Sequence, residues 1–244
     1  MYDEMVLESS GTTARLLNES WAASVNRYLT RVKSCVAFTP EKGREALLKT
    51  LKRVRPGTYW HCMRVARISR EIGHALKLDD RRMSDLSEAG MLHDVGKIFV
   101  PEWILSCPRK PTRAEFFILR RHPTLGAMLL ACFGVSQELC IRTQHHHERW
   151  DGKGYPHRLG SSDIPFMARI VQIGDAYDAM VSKRSYRKPI SRECACRELW
   201  KNSGTQFDPR IVEAFLDTFP PSVLSGHSSR VMRSGPPAQK WGNA

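Results

Sequence analysis

The chain has 244 residues, 41% of them hydrophobic and 26% charged. That is ordinary for a globular protein of one large domain or two small ones, and it excludes fibrous and wholly disordered classes. Thirty-eight Lys and Arg against 25 Asp and Glu leave a net charge of +13, a field that draws polyanions. No apolar run approaches the roughly 18–20 residues of a membrane helix. Asp3, Glu4 and Glu8 replace the basic start and apolar core of a signal peptide, so a cytoplasmic protein is expected. Seven scattered cysteines without a Cys-x-x-Cys pair read as reduced thiols, not a disulfide frame.

Residues 1–45 show modest helical periodicity at Leu16, Trp21, Val25 and Leu29 and read as an N-terminal extension packed on the core or on a second subunit. The main domain is expected over 46–220. Pro56-Gly57-Thr58 predicts a break and a helix start capped by Thr58. Val65, Ile68, Ile72 and Leu76 follow at spacings of three and four, with His61 one turn earlier on that face. A second helix is expected from about Met83 to Gly96, and Pro101 then breaks the chain into a loop through Cys107-Pro108.

Helical signals resume at Thr112, and Pro123 reads as the first turn of a new helix. Another helix near Gln137 to His146 ends in the Gly- and Pro-bearing loop 151–160. Pro165 opens a long helix carrying Asp175 and Asp178, and Asp208-Pro209 opens a last one through Ile211 and Phe215. Strand alternation is absent, which predicts an all-α fold. The tail, 221–244, reads as disordered and basic.

Between Lys183 and Lys201 seven basic residues face only Glu193 and Glu198. They form a solvated face or an anion-attracting one. Nothing resembles a helix-turn-helix, a zinc finger or an RNA-binding signature, so nucleic acid ranks behind a nucleotide as partner.

Five of the nine histidines and two aspartates fall in an order that suits a dinuclear hydrolase: His61, His93-Asp94, His122, His146-His147 and Asp175. Imidazole nitrogens with carboxylate oxygens suit Fe, Mn, Zn or Ni, whereas a Ca or Mg site draws on oxygens alone. Asp94 has two oxygens and could bridge ions about 3.5–4 Å apart. Asp178, three residues after Asp175, reads as a group that orients a ligand or as a solvent-facing carboxylate. Lys97, four residues after His93, reads as a phosphate contact or as a favourable charge at a helix end. Gly152 and Gly154 permit backbone angles closed to other residues, and Tyr155 is expected to be available to a base or a partner surface. His74, His157 and His227 read as hydrogen-bonded core histidines and not as ligands, and His145 as a near miss beside the ligand pair.

Residues 91–98, Met-Leu-His-Asp-Val-Gly-Lys-Ile, resemble the signature of the HD phosphohydrolase superfamily. Residues 145–156, His-His-His-Glu-Arg-Trp-Asp-Gly-Lys-Gly-Tyr-Pro, resemble the extension of its HD-GYP branch. The resemblance runs from about Gly57 to about Phe215. It implies a helical bundle with a dinuclear metal site that hydrolyses the bacterial messenger cyclic di-GMP to pGpG, GMP or both. By that pattern His61, His93, Asp94 and Asp175 hold the first metal, and His122, His146, His147 and the shared Asp94 the second. The same pattern implies iron or manganese, while donor softness also admits zinc or nickel. It implies catalytic roles for Asp94 and Lys97, and substrate contacts from Lys97, Tyr155, Asp178, Arg184 and Arg187. The arginine fork suits phosphate and guanine alike.

Three departures stand out. Gly57 replaces a glutamate that helps some members hold a third metal, so two divalent metal ions are expected. Ser185 replaces the proline of an Arg-Pro-Tyr-Arg stretch, and Cys107-Pro108 replaces Lys-Pro. The latter two leave open a signalling adaptor that binds a cyclic dinucleotide or a diguanylate cyclase. A hydrolase of another nucleotide and a homo-oligomer also stay open.

Overall fold

The computed structural model describes residues 23–25, 27, 30, 39–183 and 188–219. Prolines and side-chain caps set most helix starts. Helix α1 (Pro40–Val54) begins on a proline, whose missing N–H costs nothing in a first turn, behind Thr39 as cap. Helix α2 (Pro56–Ala75) begins the same way, with Arg55 in the cap position and no side-chain cap bond. Thr58, expected as the cap, therefore lies inside the first turn, because Pro56 itself starts the helix.

Helix α3 (Asp80–Leu92) starts where the Asp79 carboxylate accepts from Arg82 N at 2.8 Å. It stops at Leu92, short of the expected Gly96, and the chain tightens into a 3₁₀ turn, Val95–Phe99. The short α4 (Glu102–Leu105) follows, then α5 (Arg113–Leu119), where Thr112 and Glu115 form a capping box. Next come α6 (His122–Cys132) and α7 (Gln137–Gln144), the latter capped by Ser136. After a 3₁₀ turn, Ser161–Asp163, come the long α8 (Phe166–Val181), α9 (Arg192–Lys201) and α10 (Pro209–Thr218). Among the described residues there is no strand, only an isolated bridge between Ser203 and Phe207. The fold is all-α.

Helix α2 is the centre of the packing, in contact with α1, α3, α8 and α10. Val65 and Ile72 of α2, Leu86 and Leu92 of α3, Ile170 and Ile173 of α8 and Phe215 of α10 share one buried core. Each fully buried side chain of this kind contributes about 1.5–3 kcal/mol. Val25 and Leu47 join that core. The expected division at 45/46 falls inside α1, so α1 packs with the main body. A smaller cluster of Val100, Ile104 and Ile118 holds α4 and α5.

The expected positions Leu16, Trp21 and Leu29, the arginines Arg184 and Arg187, and the tail 221–244 lie outside the described residues. Among those described, no helix is long and apolar enough to cross a membrane. Cys62, Cys107, Cys132, Cys140, Cys194 and Cys196 are free thiols.

Candidate metal centre

Asp94 is 1% exposed and sits between two sets of imidazoles. Its Oδ1 lies 3.0 Å from His122 Nε2 and 3.8 Å from His146 Nε2. Its Oδ2 lies 3.4 Å from His93 Nε2, 3.6 Å from His61 Nε2 and 2.5 Å from Lys97 Nζ. His61 Nε2 is also 3.0 Å from Asp175 Oδ1. Donor atoms of Asp94, His122, His146 and His147 fall within 4.8 Å of one another, and so do those of His61, His93 and Asp94. The structure thus brings together all seven side chains that the sequence singles out.

The local fold makes this convergence. The α-helix ends at Leu92: His93 still has helical backbone angles, Asp94 leaves them at φ −101° and ψ 10°, and both side chains reach one cluster. Gly96 then meets the start of α6: a Cβ there would lie 2.0 Å from His122 O and 2.5 Å from Gly126 N. That contact carries His122 to Asp94. On α8, Asp175 and Asp178 share a face, and the two carboxylates hold His61 from both ring nitrogens.

Each buried ring also has its orientation fixed from behind. A backbone carbonyl can only accept, so the ring nitrogen facing it carries the proton. His93 Nδ1 donates to Gly90 O at 2.8 Å, His122 Nδ1 to Leu119 O at 2.6 Å, and His146 Nδ1 to Thr143 O at 2.6 Å. His61 Nδ1 donates to Asp178 Oδ2 at 2.7 Å. The Nε2 lone pairs are left to point inward, the arrangement by which proteins orient metal-binding histidines.

The charge state suits a cation. Burial pushes the Asp94 carboxyl up, but Lys97 and His93 overcome it and hold it well below the usual carboxylate range. Burial likewise opposes Asp175, and its bond to His61 brings it well below that range. His146 is pulled well down by burial and by its neighbour His147, and burial takes His147 to about 3. Ionised carboxylates and neutral imidazoles are the forms that bind metal. His93 departs in the other direction: burial opposes its charge, yet Asp94 raises it well above the usual imidazole range. Nε2 of His61, Nε2 of His93 and Oδ1 of Asp94 are buried and make no hydrogen bond of normal geometry. Buried polar atoms rarely stay unmatched without a reason, and a divalent cation between them fits this donor set.

Asp178 is not solvent-facing, although it lines the cleft beside the cluster. It is 2% exposed, accepts from His61, and receives Arg64 Nε at 2.6 Å and Nη2 at 2.9 Å. Burial pushes its carboxyl up, and the His61 and Arg64 contacts bring it well below the usual range. Tyr155, expected to be available, is engaged instead. Its ring stacks on His147 at 4.9 Å, and the Arg120 guanidinium lies 4.6 Å from its centroid. The reason is the loop fold: Tyr155 N bonds to His147 O at 3.2 Å and draws the ring onto its neighbour. Gly152 adopts φ +72°, as expected, but Gly154 is needed for space, since a Cβ there would lie 2.4 Å from Arg149 N.

Beside the cluster, a cleft of about 520 Å³ is lined by His61, Asp94 and Lys97 together with Arg55, Arg64 and Arg109. The three arginines were not legible as site residues; only their charge and the loop breaks around them gave a signal. Cys107 lines the same cleft.

Fold and site define an all-helical protein with a histidine–aspartate centre suited to transition metals. The HD domain family matches residues 42–211, and the chain belongs to that family. Over 164 residues it is 38% identical to a cyclic di-GMP phosphodiesterase of Thermotoga maritima, an alignment covering 65% of this chain and 44% of that protein. It is 36% identical over 162 residues to the 3′3′-cGAMP-specific phosphodiesterase 2 of Vibrio cholerae, covering 64% of this chain and 30% of that protein. The chain thus spans less than half the length of these curated relatives. Among solved structures its fold is similar to Bd1817, an HDG"Y"P protein from Bdellovibrio bacteriovorus. The TM-score is 0.59 at 15% identity, covering 85% of this chain and 72% of that one.

Proposed function

We propose that this chain is a metal-dependent phosphodiesterase that hydrolyses cyclic di-GMP to pGpG, GMP or both. One observation carries the reading: Asp94 turns one oxygen to His122 and His146 and the other to His61 and His93. The names of curated relatives at 38% and 36% identity support a cyclic dinucleotide as substrate. His61, His93, Asp94 and Asp175 would hold one divalent ion, and His122, His146, His147 and Asp94 the other. Iron or manganese comes first by family, and zinc or nickel also matches the donors. A bound metal pair supplies Lewis acidity toward a phosphoryl oxygen and activates water near neutral pH.

The chain's own residues supply the rest. Lys97 reaches Asp94 from the cleft wall and can offer the same charge to a non-bridging phosphate oxygen as water adds and the 3′-oxygen leaves. Arg55, Arg64 and Arg109 line the cleft in ion pairs with Glu102, Asp178 and Glu115, and guanidinium forks of this kind suit a phosphate that competes for them. Arg184 and Arg187 are proposed as further contacts to phosphates or guanines. Asp178 and Tyr155 act by positioning His61 and His147. The catalytic unit is taken to include α1 and to run to 220, in the cytoplasm, with a basic tail over 221–244. Diguanylate cyclases and a second copy of the chain are the protein partners this reading admits.

A mixed cyclic dinucleotide is the second reading, favoured by the likeness to the Vibrio cholerae 3′3′-cGAMP-specific enzyme. The test is anaerobic purification, metal analysis, and hydrolysis assays of both nucleotides with iron or manganese. At least two metals per chain with pGpG or GMP formed supports the first reading, and faster 3′3′-cGAMP turnover supports the second. Bound metal without turnover of either would replace both with a non-hydrolysing adaptor.

A further inference from the structure

On the other side of the His145–His147 run lies a second group of donors, built on the loop that follows α7. His145 Nε2 is 3.1 Å from His157 Nδ1, and their rings are 5.1 Å apart. A carboxylate oxygen of Glu148 completes the group, with all three donor atoms within 4.8 Å of one another. We propose that His145, Glu148 and His157 form a separate mononuclear site for a zinc-like transition-metal ion, one that clips both ends of the Gly-Tyr-Pro loop together.

Glu148 is the first argument. The residue is 0% exposed, and its Oε1 accepts from His157 N at 2.6 Å. Its Oε2 is buried without a hydrogen-bond partner. An unmatched carboxylate oxygen in the interior is costly, and a cation removes that cost. Second, His145 Nδ1 donates to Ile141 O at 2.8 Å, so its Nε2 lone pair points at His157. His93, His122 and His146 are oriented by the same device, and His145 shares it although it takes no part in the cluster around Asp94. Third, His157 is exposed, which gives an ion a route in and leaves a position for water. Two imidazoles and one carboxylate match the three-ligand zinc pattern with an open position and disfavour calcium or magnesium.

The consequence is mechanical. His145 ends α7, and His157 follows Pro156, so an ion joining them closes the loop that carries Tyr155 onto His147. It would stiffen the dinuclear site from outside without touching the substrate.

The experiment is zinc binding to metal-stripped full chain, measured by equilibrium dialysis with metal analysis. Wild type is compared with His157→Gln, with the double variant His93→Ala plus Asp94→Ala, and with the triple variant carrying all three changes. His157 is exposed, so its substitution leaves the fold intact, checked by circular dichroism. The expected result is one fewer zinc in His157→Gln than in wild type, and a zinc retained by the double variant but lost from the triple. In the double variant, zinc should also protect amides of 148–157 from exchange, and this protection should vanish in the triple. Equal zinc content in wild type and His157→Gln at the same free zinc, or in the double and triple variants, would overturn the proposal. Neither comparison depends on phosphodiesterase turnover, so the two readings fail separately.

Discussion

Asp178 Oδ2 accepts the Nδ1 proton of His61 at 2.7 Å, while Asp175, one turn earlier on α8, meets Nε2 of the same ring at 3.0 Å. His61 is therefore aimed by one carboxylate toward another. Replacing such an orienting partner weakens metal binding by about 10–100-fold. Asp178→Asn should do so on the His61 side of the centre and leave helical circular dichroism unchanged. Dialysis against graded chelator would read the affinity; a wild-type retention curve would refute an orienting role.

His93→Ala together with Asp94→Ala removes the residue that both histidine sets share. Turnover should fall to background and the dinuclear metal content should drop, with the helical spectrum kept. Wild-type rates in this variant would remove the metal mechanism altogether.

Gly96→Ala places a Cβ 2.0 Å from His122 O, where backbone, not a flexible side chain, must yield. Overpacking of this kind costs about 1–3 kcal/mol. A lower unfolding midpoint accompanied by weaker metal retention is expected, since α6 must retreat and take His122 from Asp94. Unchanged metal retention would show that the close approach does not position the ligand.

Arg169 Nη1 and Asp208 Oδ2 form a buried ion pair at 2.5 Å, and Asp208 also caps α10. Asp208→Ala strands the arginine and should cost about 3–5 kcal/mol. Denaturant unfolding measures it, and a loss near that of a surface substitution would mean the pair adds little.

Glu115 offers a pH test. The Arg109 guanidinium and the Thr112 backbone hold its carboxyl at about 2, below its ordinary 4.5. A depressed carboxyl stabilises the fold above its unfolded value, and that stability fades as pH falls from about 4.5 toward 2. Thermal midpoints of wild type and Glu115→Gln should differ at pH 6 and converge through that window. A gap constant down to pH 2 would assign the effect to shape and not to charge.

Much of this was legible in the primary structure because the chemistry is written in residue types that have few other uses in sequence order. Helix starts at Pro56, Ser136, Pro165 and Asp208 follow from local rules, and the helical periods of α2 and α8 mark their buried faces. What escaped was long-range. Nothing near Asp178 in sequence announces Arg64 or His61, which are more than a hundred residues away. Tyr155 looked exposed because its two ring partners are set by a loop and by the end of α5, not by spacing. His157, isolated in sequence from any ligand pattern, meets His145 only when the loop closes.

Helices α3, α5 and α7 stop at Leu92, Leu119 and Gln144, and the carbonyls of Gly90, Leu119 and Thr143 near those ends receive imidazole protons. Terminal carbonyls are the ones a helix cannot satisfy itself. One more turn of any of these helices would fill them with backbone N–H groups and swing the matching ring away. Helix length is thus tied to ring orientation at three places. Engineering that lengthens those helices for thermal robustness would trade it directly against the metal centre.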